Sequence, residues 1–566
     1  MTGLKEQGKV MDLGEAIGRY VKPGMKLHLA AGIGGPSAAI CEIIRQYWGK
    51  HPEFTVIQST VTGHALNLVH ARLAKKLICS VCANISASGR PSRVIQDAYE
   101  SKRIEMENWT LNSLQQRLMA GALGVPFMPT RSVLGSSLAE DNQASFKSVE
   151  DPFGSGMQVG LAGALLPDIS IVHGCVADAD GNTILCAPYG EDLWGSLASK
   201  GGTIVTVEKI VPPEFIRKYA ALVKIPSYAV QAVAAAPLGL HPYSLANPGI
   251  GDIDPYEKDV DFLDVLYEAA GSDHALDEWI REWILQCESH EHYLGKLGDR
   301  RIAELKEKAV RVKGESAPPH QTNESSDYEP REMMRIALAR EILSSVEKRG
   351  HKIVLAGAGA AATAAFLAYY QSTPPCFELG TGNGQIGYAP VPGEPILASE
   401  AGVRRSKMLT DTLLMQGVIV GGENNRCLSI LGAGQMDRHG NINSTKTSKG
   451  KFLVGSGGAN DALNAREAII CLDQSKDRFV DQLAYITGRG DAVTTVVSTM
   501  GIFKKPDPQD ELHLVACFPN PHGRSLEERV REIRNHCGWN LKTAPSVEEV
   551  PGPSPQELQL LRWLAT

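Results

Sequence analysis

Two stretches of the sequence decide the fold: "LHLAAGIGGPSAAI", Leu27–Ile40, and "IVLAGAGAAATAAF", Ile353–Phe366. Each begins with an apolar run that predicts a buried strand, passes into a glycine turn, and continues in small residues that predict a helix. Further on, "VHGCVADADGNTIL" and "LGAGQMDRHGNINS" share the spacing Asp, two residues, Gly, Asn. The matching order of these segments predicts a duplicated α/β domain.

The segment between the two copies is polar. "RVKGESAPPHQTNESSDYEP", residues 311–330, contains almost no large apolar side chain, which predicts a linker. We therefore predict one domain at residues 1–310 and a second at 331–566. Strand-like runs alternate with helical stretches in both domains, so we expect two similar open, mainly parallel sheets covered by helices. A long charged helical segment, about residues 261–313, is expected to close the first domain.

The composition is that of a globular protein. The 566 residues are 43% hydrophobic and 21% charged, and the formal charge is -7. This charge argues against nucleic acid or an anionic membrane surface as a partner. No stretch reaches the ~18 apolar residues of a membrane span, and the N-terminus has no secretory apolar core. We expect a cytoplasmic protein whose eleven cysteines mainly fill the core.

Two clusters have spacing that suggests metal ligands. "CSVC", Cys79 to Cys82, lies in an apolar strand-like run without a second pair, and "CESHEH", Cys287 to His292, continues a charged helix. A structural zinc site needs four ligands, and neither cluster has a distant partner to complete the set. We predict no metal site.

The glycine-rich stretches of the second domain allow two cofactor interpretations. Gly357, Gly359 and Ala362 fit the dinucleotide fingerprint, and Glu378 follows where that fingerprint expects an acid for the ribose. This pattern keeps an NAD-dependent oxidoreductase open. The run from Glu378 to Gly384, "ELGTGNG", also resembles the first motif of S-adenosylmethionine-dependent methyltransferases, but the flanking prolines oppose the strand and helix which that motif requires.

A family resemblance extends over most of both domains. "GAGQMDRHGNINST", "GKFLVGSGGANDA", "FVDQLAYITGRG" and "VVSTMGIF" resemble the second subunit of glutaconate-type class I coenzyme A (CoA)-transferases. "NWTLNSLQQRLMAGALGVPFMPTRSVLGSSL" in the first domain resembles the partner subunit. The sequence is thus similar to such a transferase with both subunits fused. The resemblance implies transfer of CoA from an acyl-CoA thioester to a small carboxylic acid, with no tightly bound cofactor, by a homodimer of fused chains.

The resemblance also implies site residues. Glu378, expected on a glycine-containing loop, would attack the thioester, and the resulting mixed anhydride would become a glutamyl-CoA thioester. Glu400 in "ASEAG" is the alternative candidate for the catalytic glutamate, because this stretch resembles the Ser-Glu-Asn-Gly signature of the 3-oxoacid transferases. Backbone amides of Gly457, Gly458 and Ala459 are expected to bind CoA and the oxyanion.

A hydrolase of the same fold provides an alternative function. The enzyme that opens the last steroid ring in cholesterol breakdown uses a glutamate of its first subunit, and "IEMENWTLN" places Glu107 close to that position. A ring-opening or thioester hydrolase using Glu107 therefore remains open. The structural alternative for Glu107 is an ion pair with Arg103 one helical turn away.

Overall fold

A computed structural model of the chain gives two halves that each carry a large sheet. The predicted linker, 311–330, lies outside the described residues except for its last four. We call the described residues up to 310 the first half and those from 327 the second half. No described helix combines the length and the apolar character needed to cross a bilayer. The described residues are 8–30, 32, 34–85, 89–247, 249–310, 327–372, 374–390, 392, 400–519 and 523–565.

The strands of the first half are separated mostly by helices. They are β1 Lys26–Ala30, β2 Phe54–Val61, β3 Ala74–Ile85, β4 Gly89–Pro91, β5 Glu105–Asn108, β6 Phe127–Thr130, β7 Phe146–Glu150, β8 Gln158–Gly163, β9 Ile169–Ala177, β10 Thr183–Leu185, β11 Thr203–Ile210, β12 Val223–Ile225 and β13 Val230–Ala235.

Within the described residues, ten of these strands form one sheet. Its main path runs β12-β10-β9-β1-β2-β3-β4, with β11 and β5 also pairing to β9 and β3, and β13 pairing to β11. The pairs around β1, β2 and β11 are parallel, whereas β10 pairs antiparallel with β9 and β12, and β4 pairs antiparallel with β3. All nine residues of β9 are buried, as expected for a parallel strand covered on both faces. The strands β6, β8 and β7 form a separate small sheet.

Helices cover the first sheet, and the charged segment after it is not one long helix. It is divided into α9, α10, a π-helix, α11 and α12, and Phe262 and Trp279 from it pack into the core of the first half. The helices are α1 Leu13–Tyr20, α2 Ser37–Tyr47, α3 His64–His70, α4 Arg93–Glu100, α5 Leu111–Leu123, α6 Ser137–Asp141, α7 Asp192–Ala198, α8 Pro213–Lys218, α9 Val260–Ala269, α10 Asp273–Ile280, the π-helix Arg281–Leu285, α11 His290–Leu297 and α12 Asp299–Val310, with 3-10 turns at Ala220–Leu222 and Ser227–Ala229.

The second half repeats the alternation of strands and helices. Its strands are β14 Ile353–Ala356, β15 Glu378–Gly380, β16 Gln385–Ile386, β17 Met408–Leu409, β18 Cys427–Gly432, β19 Gln435–Met436, β20 Ile442–Asn443, β21 Glu467–Leu472, β22 Val493–Ser498, β23 Gly501–Lys504, β24 His513–Cys517 and β25 Thr543–Glu549. Its helices are α13 Pro330–Arg349, α14 Ala360–Gln371, α15 Glu400–Arg405, the π-helix Leu413–Val420, α16 Ala459–Ala462, α17 Leu526–Asn535 and α18 Pro555–Ala565.

The second sheet is also parallel at its centre. Its order is β17-β16-β15-β14-β18-β21-β22-β23-β24-β25, and the pairs from β15 to β22 are parallel. The chain leaves β14 through α14 to reach β15 on one side, and β18 lies on the other side of β14. The strand order therefore reverses between β14 and β18. The predicted fold class, two similar open and mainly parallel sheets, is confirmed.

Candidate active site

The glycine loop, defined here as Gly455–Asn460, joins the two halves by pairing with β3. Gly455 forms an antiparallel bridge with Val81, and the N–H of Gly457 donates to the carbonyl of Ser80 over 3.3 Å. A Cβ atom on Gly455 would stand 2.2 Å from the Ser80 oxygen, and the φ of Gly455 is +102°. The close approach of the two backbones therefore requires glycine at this position.

Side chains at the end of β5 hold the same loop. The N–H of Ser456 donates to Oδ1 of Asn108 over 3.0 Å, and Nδ2 of Asn108 donates to the Ser80 carbonyl over 2.9 Å. The hydroxyl of Ser456 donates to the carbonyl of Trp109 over 2.6 Å. Asn108, Ser80 and Ser456 are all buried, so these bonds are shielded from water. The first half thus sets the shape of a loop that belongs to the second half.

Asp461 in α16 completes the junction. Its Oδ1 accepts from the Ser132 hydroxyl over 2.7 Å, and its Oδ2 accepts from the N–H of Asn112 over 3.0 Å. Asp461 is 1% exposed, and this burial raises its pKa to about 6, although the hydrogen bonds act in the opposite direction. Oδ1 of Asn460 accepts from the N–H of Val133 over 2.8 Å. Asn460, at the end of the glycine loop, and Asp461, the next residue, are therefore both held by residues of the first half.

The three amides predicted to bind an oxyanion differ in what they already contact. Gly457 donates to Ser80, and Ala459 donates to the carbonyl of Ser456 over 3.1 Å. For Gly458, the described part of the chain contains no acceptor for its N–H. Of the three predicted amides, Gly458 is the one that the loop itself leaves available to a ligand.

Gln416 connects the glycine loop with the turn that follows β15, Thr381–Gly384. Nε2 of Gln416 donates to the carbonyl of Gly382 over 3.3 Å. A Cβ atom on Gly382 or Gly458 would stand 2.6 or 2.8 Å from this same nitrogen. Gln416 is buried, and Oε1 finds no donor among the residues described. The two glycine-rich segments thus approach each other across one amide side chain, at the carboxyl edge of the second sheet.

Glu378 lies on a strand and not on a loop. It is the first residue of β15 and pairs with Ile353 at the start of β14, so it stands at the amino edge of the sheet. Its side chain is 39% exposed, and Oε1 accepts from Nζ of Lys407 over 2.6 Å. The expectation of a glycine loop around Glu378 is wrong, because β15 separates this residue from the Thr381–Gly384 turn. Its catalytic role stays a prediction.

Glu107 lies on β5 and is held by three donors. Its Oε1 accepts from Arg117 over 2.6 Å and from the Trp109 indole over 2.9 Å, and its Oε2 pairs with Lys76 over 2.8 Å. Burial opposes ionisation, but Arg117 and Lys76 outweigh it and lower the pKa of Glu107. The expected helical pairing with Arg103 is wrong, because Glu107 is on a strand and its cationic partners come from β3 and α5.

The remaining predicted residues form no second centre within the described part of the chain. Glu400 is the first residue of α15, and its side chain lies outside the described residues. The dinucleotide interpretation requires Glu378 at the carboxyl edge beside the turn after β14, whereas Glu378 stands at the amino edge. Within the described ranges, no group of three or more His, Cys, Asp or Glu is arranged to hold a metal ion.

Sequence reasoning did not single out Asn108, Asp461 or Gln416. Gln416 is the single polar residue in the apolar run "LLMQGVIV", and this contrast is a usable signal. Asn108 and Asp461 lie in "ENWTLN" and "GSGGANDA", but their partners come from opposite halves. Their roles depend on how the halves dock, which the local sequence does not encode.

Comparisons with known proteins agree with the resemblance. Residues 10–236 match a family model described as Coenzyme A transferase. Over 53% of this chain, it is 30% identical to one of the two subunits of the glutaconate CoA-transferase of Acidaminococcus fermentans, and it covers 94% of that relative. Over 42% of this chain, it is 30% identical to one of the two subunits of the 3-oxoadipate CoA-transferase of Pseudomonas knackmussii, again covering 94% of the relative.

A solved structure agrees with the fold of the whole chain. An acyl-CoA transferase apoenzyme from Escherichia coli O157:H7 aligns with 97% of this chain and 96% of its own length, at a TM-score of 0.68 and 16% identity. At this identity the likeness concerns the fold alone. The alignment spans both halves, so the relative arrangement of two domains is shared.

Proposed function

This chain belongs to the class I coenzyme A-transferases, with both subunits in one polypeptide, and we propose that it transfers CoA through a glutamyl-CoA thioester on Glu378. The donor is an acyl-CoA and the acceptor is a small carboxylic acid. The observation that carries the choice of Glu378 is its exposure. Its side chain is 39% exposed and has Lys407, whose side chain is 71% exposed, as its ion-pair partner. An external thioester can displace such a partner at little cost.

In the proposed reaction, a carboxylate oxygen of Glu378 attacks the thioester carbonyl carbon, and the C–S bond breaks to release CoA thiolate. The product is a mixed anhydride between the acyl group and Glu378. The thiolate then attacks the glutamyl carbonyl, which releases the donor acid as a carboxylate and leaves a glutamyl-CoA thioester. The acceptor carboxylate repeats these steps in reverse and leaves as the new acyl-CoA. No water enters the cycle.

Each step passes through a tetrahedral oxyanion that needs a nearby donor. The ammonium group of Lys407, 2.6 Å from Glu378, is a cation available at this position. The glycine loop lies at the other edge of the sheet, so in this mechanism the N–H of Gly458 binds another polar group of the acyl-CoA. A well-placed oxyanion donor lowers the barrier by about 3 kcal/mol.

A second candidate function is hydrolysis with Glu107, and one observation favours it. The turn beside the glycine loop is Thr381-Gly382-Asn383-Gly384, which offers no carboxylate, whereas Glu107 is adjacent to Asn108, which binds the loop directly. In this reaction Glu107 would activate water for attack on the acyl-CoA. Against this role, the three donors that hold Glu107 occupy both of its oxygens.

Initial-rate kinetics with acetyl-CoA, glutaryl-CoA and a panel of acids test the proposal. A covalent enzyme intermediate predicts ping-pong kinetics, with parallel lines in double-reciprocal plots. Glu378→Gln should lower kcat by at least ~10³-fold, and Lys407→Gln by about 10²-fold. Glu105→Gln, at an exposed glutamate of β5, serves as the control and should keep the wild-type rate. Release of CoA without an acceptor acid, retained in Glu378→Gln and lost in Glu107→Gln, would instead identify the hydrolase.

We also propose that two fused chains assemble into a homodimer. One chain already contains both halves of a transferase unit, and closed two-fold pairing is the commonest way for such units to associate. Light scattering during size-exclusion chromatography should give twice the mass of one chain. A single-chain mass at micromolar concentration would contradict this assembly.

A further inference from the structure

The carboxyl edge of the second sheet contains a cavity of about 240 Å³. We propose that this cavity, called the arginine cavity below, binds a phosphate group of the acyl-CoA substrate. The inference rests on the proposed function, because CoA transfer is what brings a phosphorylated molecule to this chain. The lining residues that carry the argument are Arg331, Arg335, Ala360, Gly432, Asp473 and Arg478.

The arginine cavity lies where the strand order of the second sheet reverses. Its walls include residues at the carboxyl ends of β14, β18 and β21 or just after them, such as Ala360, Gly432 and Asp473. In open α/β sheets, ligands bind in the crevice outside the carboxyl ends of the strands at such a reversal point. The Thr381–Gly384 turn follows β15 at the same edge and contacts the glycine loop through Gln416. One extended molecule can therefore lie along this edge.

The side chains of the cavity leave positive charge unbalanced. Arg331 forms a bidentate pair with Asp473, at 3.0 and 2.6 Å, and Arg478 lies 3.9 Å from the same carboxylate. The Nε of Arg335 is buried and has no hydrogen-bond acceptor among the residues described. The carboxylates near Arg335 are Asp473 and Glu332, and each of them already forms an ion pair with another arginine. Three arginines thus share a single aspartate. A buried guanidinium N–H without an acceptor is costly unless an anion supplies one.

The first turn of α14 adds backbone donors to the same space. Its first residues, Ala360 and Ala361, line the cavity, and Gly359 before them provides no side chain to cap the helix. The first N–H groups of the 12-residue helix are therefore open to a ligand, at the end where the helix dipole favours a negative charge. A Cβ atom on Gly359 would meet nothing within 4 Å, so the approach to this helix end is clear.

Phosphate fits this donor set better than a single carboxylate. Guanidinium groups present paired N–H donors, and a phosphate offers three acceptor oxygens that can meet an arginine and a helix N-terminus together. CoA carries its phosphates at the end of the molecule away from the thiol. Binding them in the arginine cavity lets the pantetheine arm pass the N–H of Gly458, which in the proposed mechanism contacts the acyl-CoA, before the thioester reaches Glu378.

Calorimetric titration with CoA tests the inference without any need for turnover. Arg335→Gln and Arg478→Gln should each weaken CoA binding about tenfold and leave the binding of pantetheine, which lacks phosphate, unchanged. Arg534→Gln, at an exposed arginine of α17 that does not line the cavity, is the control and should bind CoA like the wild type. Thermal unfolding of each variant checks that the fold is intact, and the exposed position of Arg478 makes that variant the safer of the two.

Unchanged CoA affinity in both cavity variants would overturn the inference. Binding of inorganic phosphate to the wild type that is lost in Arg335→Gln, with CoA affinity unchanged, would overturn the CoA assignment and identify a free phosphate as the ligand. Because the readout is binding, failure of the transfer assay leaves this test intact. Normal transfer by variants with normal CoA affinity would contradict this inference and would leave the proposed transfer function standing.

Discussion

The backbone N–H of Ser456 in the second half donates a hydrogen bond to the side chain of Asn108 in the first half, over 3.0 Å. Asn108 also donates to Ser80, so a single amide side chain connects the end of β5, the middle of β3 and the glycine loop. Because these residues are buried, the N–H of Ser456 and the Oδ1 of Asn108 depend on each other, across the two halves, for a hydrogen-bond partner. The conformation of the glycine loop therefore depends on residues of both halves. Because one fused chain contains both halves, it can form this site by itself.

Replacing Asn108 should weaken the junction between the halves. Asn108→Ala leaves the N–H of Ser456 and one bond of the Ser80 carbonyl unmade in a buried place, and we expect the free energy of unfolding to fall by about 1–3 kcal/mol. Urea unfolding followed by fluorescence measures the change. Asn535→Ala, at the exposed end of α17, is the matched control and should change stability by less than ~0.5 kcal/mol. An equal loss in both variants would contradict the role assigned to Asn108.

Adding one methyl group to the glycine loop should separate steric from conformational effects. Gly455 and Gly450 have φ values of +102° and +76°, so alanine is strained at both. A Cβ atom would meet the Ser80 oxygen at 2.2 Å in Gly455→Ala and nothing within 4 Å in Gly450→Ala. We expect Gly455→Ala to cost at least ~2 kcal/mol more stability than Gly450→Ala and to abolish transfer. Similar melting temperatures for the two variants would show that the close approach is not required.

Asp461 should make stability depend on pH. Its pKa rises from 3.8 to about 6 in the folded chain, so the native state holds this proton more tightly than the unfolded state. The contribution of Asp461 is therefore complete below about pH 4 and is lost as the pH rises to about 6, by roughly 3 kcal/mol in total. Between pH 4 and 7, the stability of Asp461→Asn should improve relative to the wild type by up to this amount. A stability difference between Asp461→Asn and the wild type that does not change with pH would contradict the raised pKa of Asp461.

Glu107 should matter for stability whichever reaction the chain catalyses. Arg117 is buried, with 4% of its side chain exposed, and Glu107 is its ion-pair partner. Glu107→Gln leaves this guanidinium without a counter-charge, and we expect a loss of about 3 kcal/mol. Glu105→Gln is the control, because Glu105 is 68% exposed and its pair with Lys76 is worth less than ~1 kcal/mol. Equal melting temperatures for Glu107→Gln and the wild type would remove the structural role.

Much of the fold could be predicted from local sequence. The strand–glycine–helix pattern of Leu27–Ile40 and of Ile353–Phe366 recurs as β1 with α2 and as β14 with α14, because apolar periodicity and glycine turns are properties of single segments. The prolines before the three-residue strand β15 hide it, and this is why the sequence predicts a loop around Glu378. Gln416 becomes part of the site only through folding, since Gly382 and Gly458 meet it from distant parts of the chain.

The most direct test of the account is the mass of the protein after incubation with glutaryl-CoA or acetyl-CoA, followed by borohydride reduction and peptide mapping. We predict a CoA adduct, reduced by borohydride to an alcohol, on the peptide that contains Glu378, and no adduct in Glu378→Gln. Steady release of free CoA without an adduct on any peptide would contradict the glutamyl-CoA mechanism and would move the chemistry to Glu107 and hydrolysis.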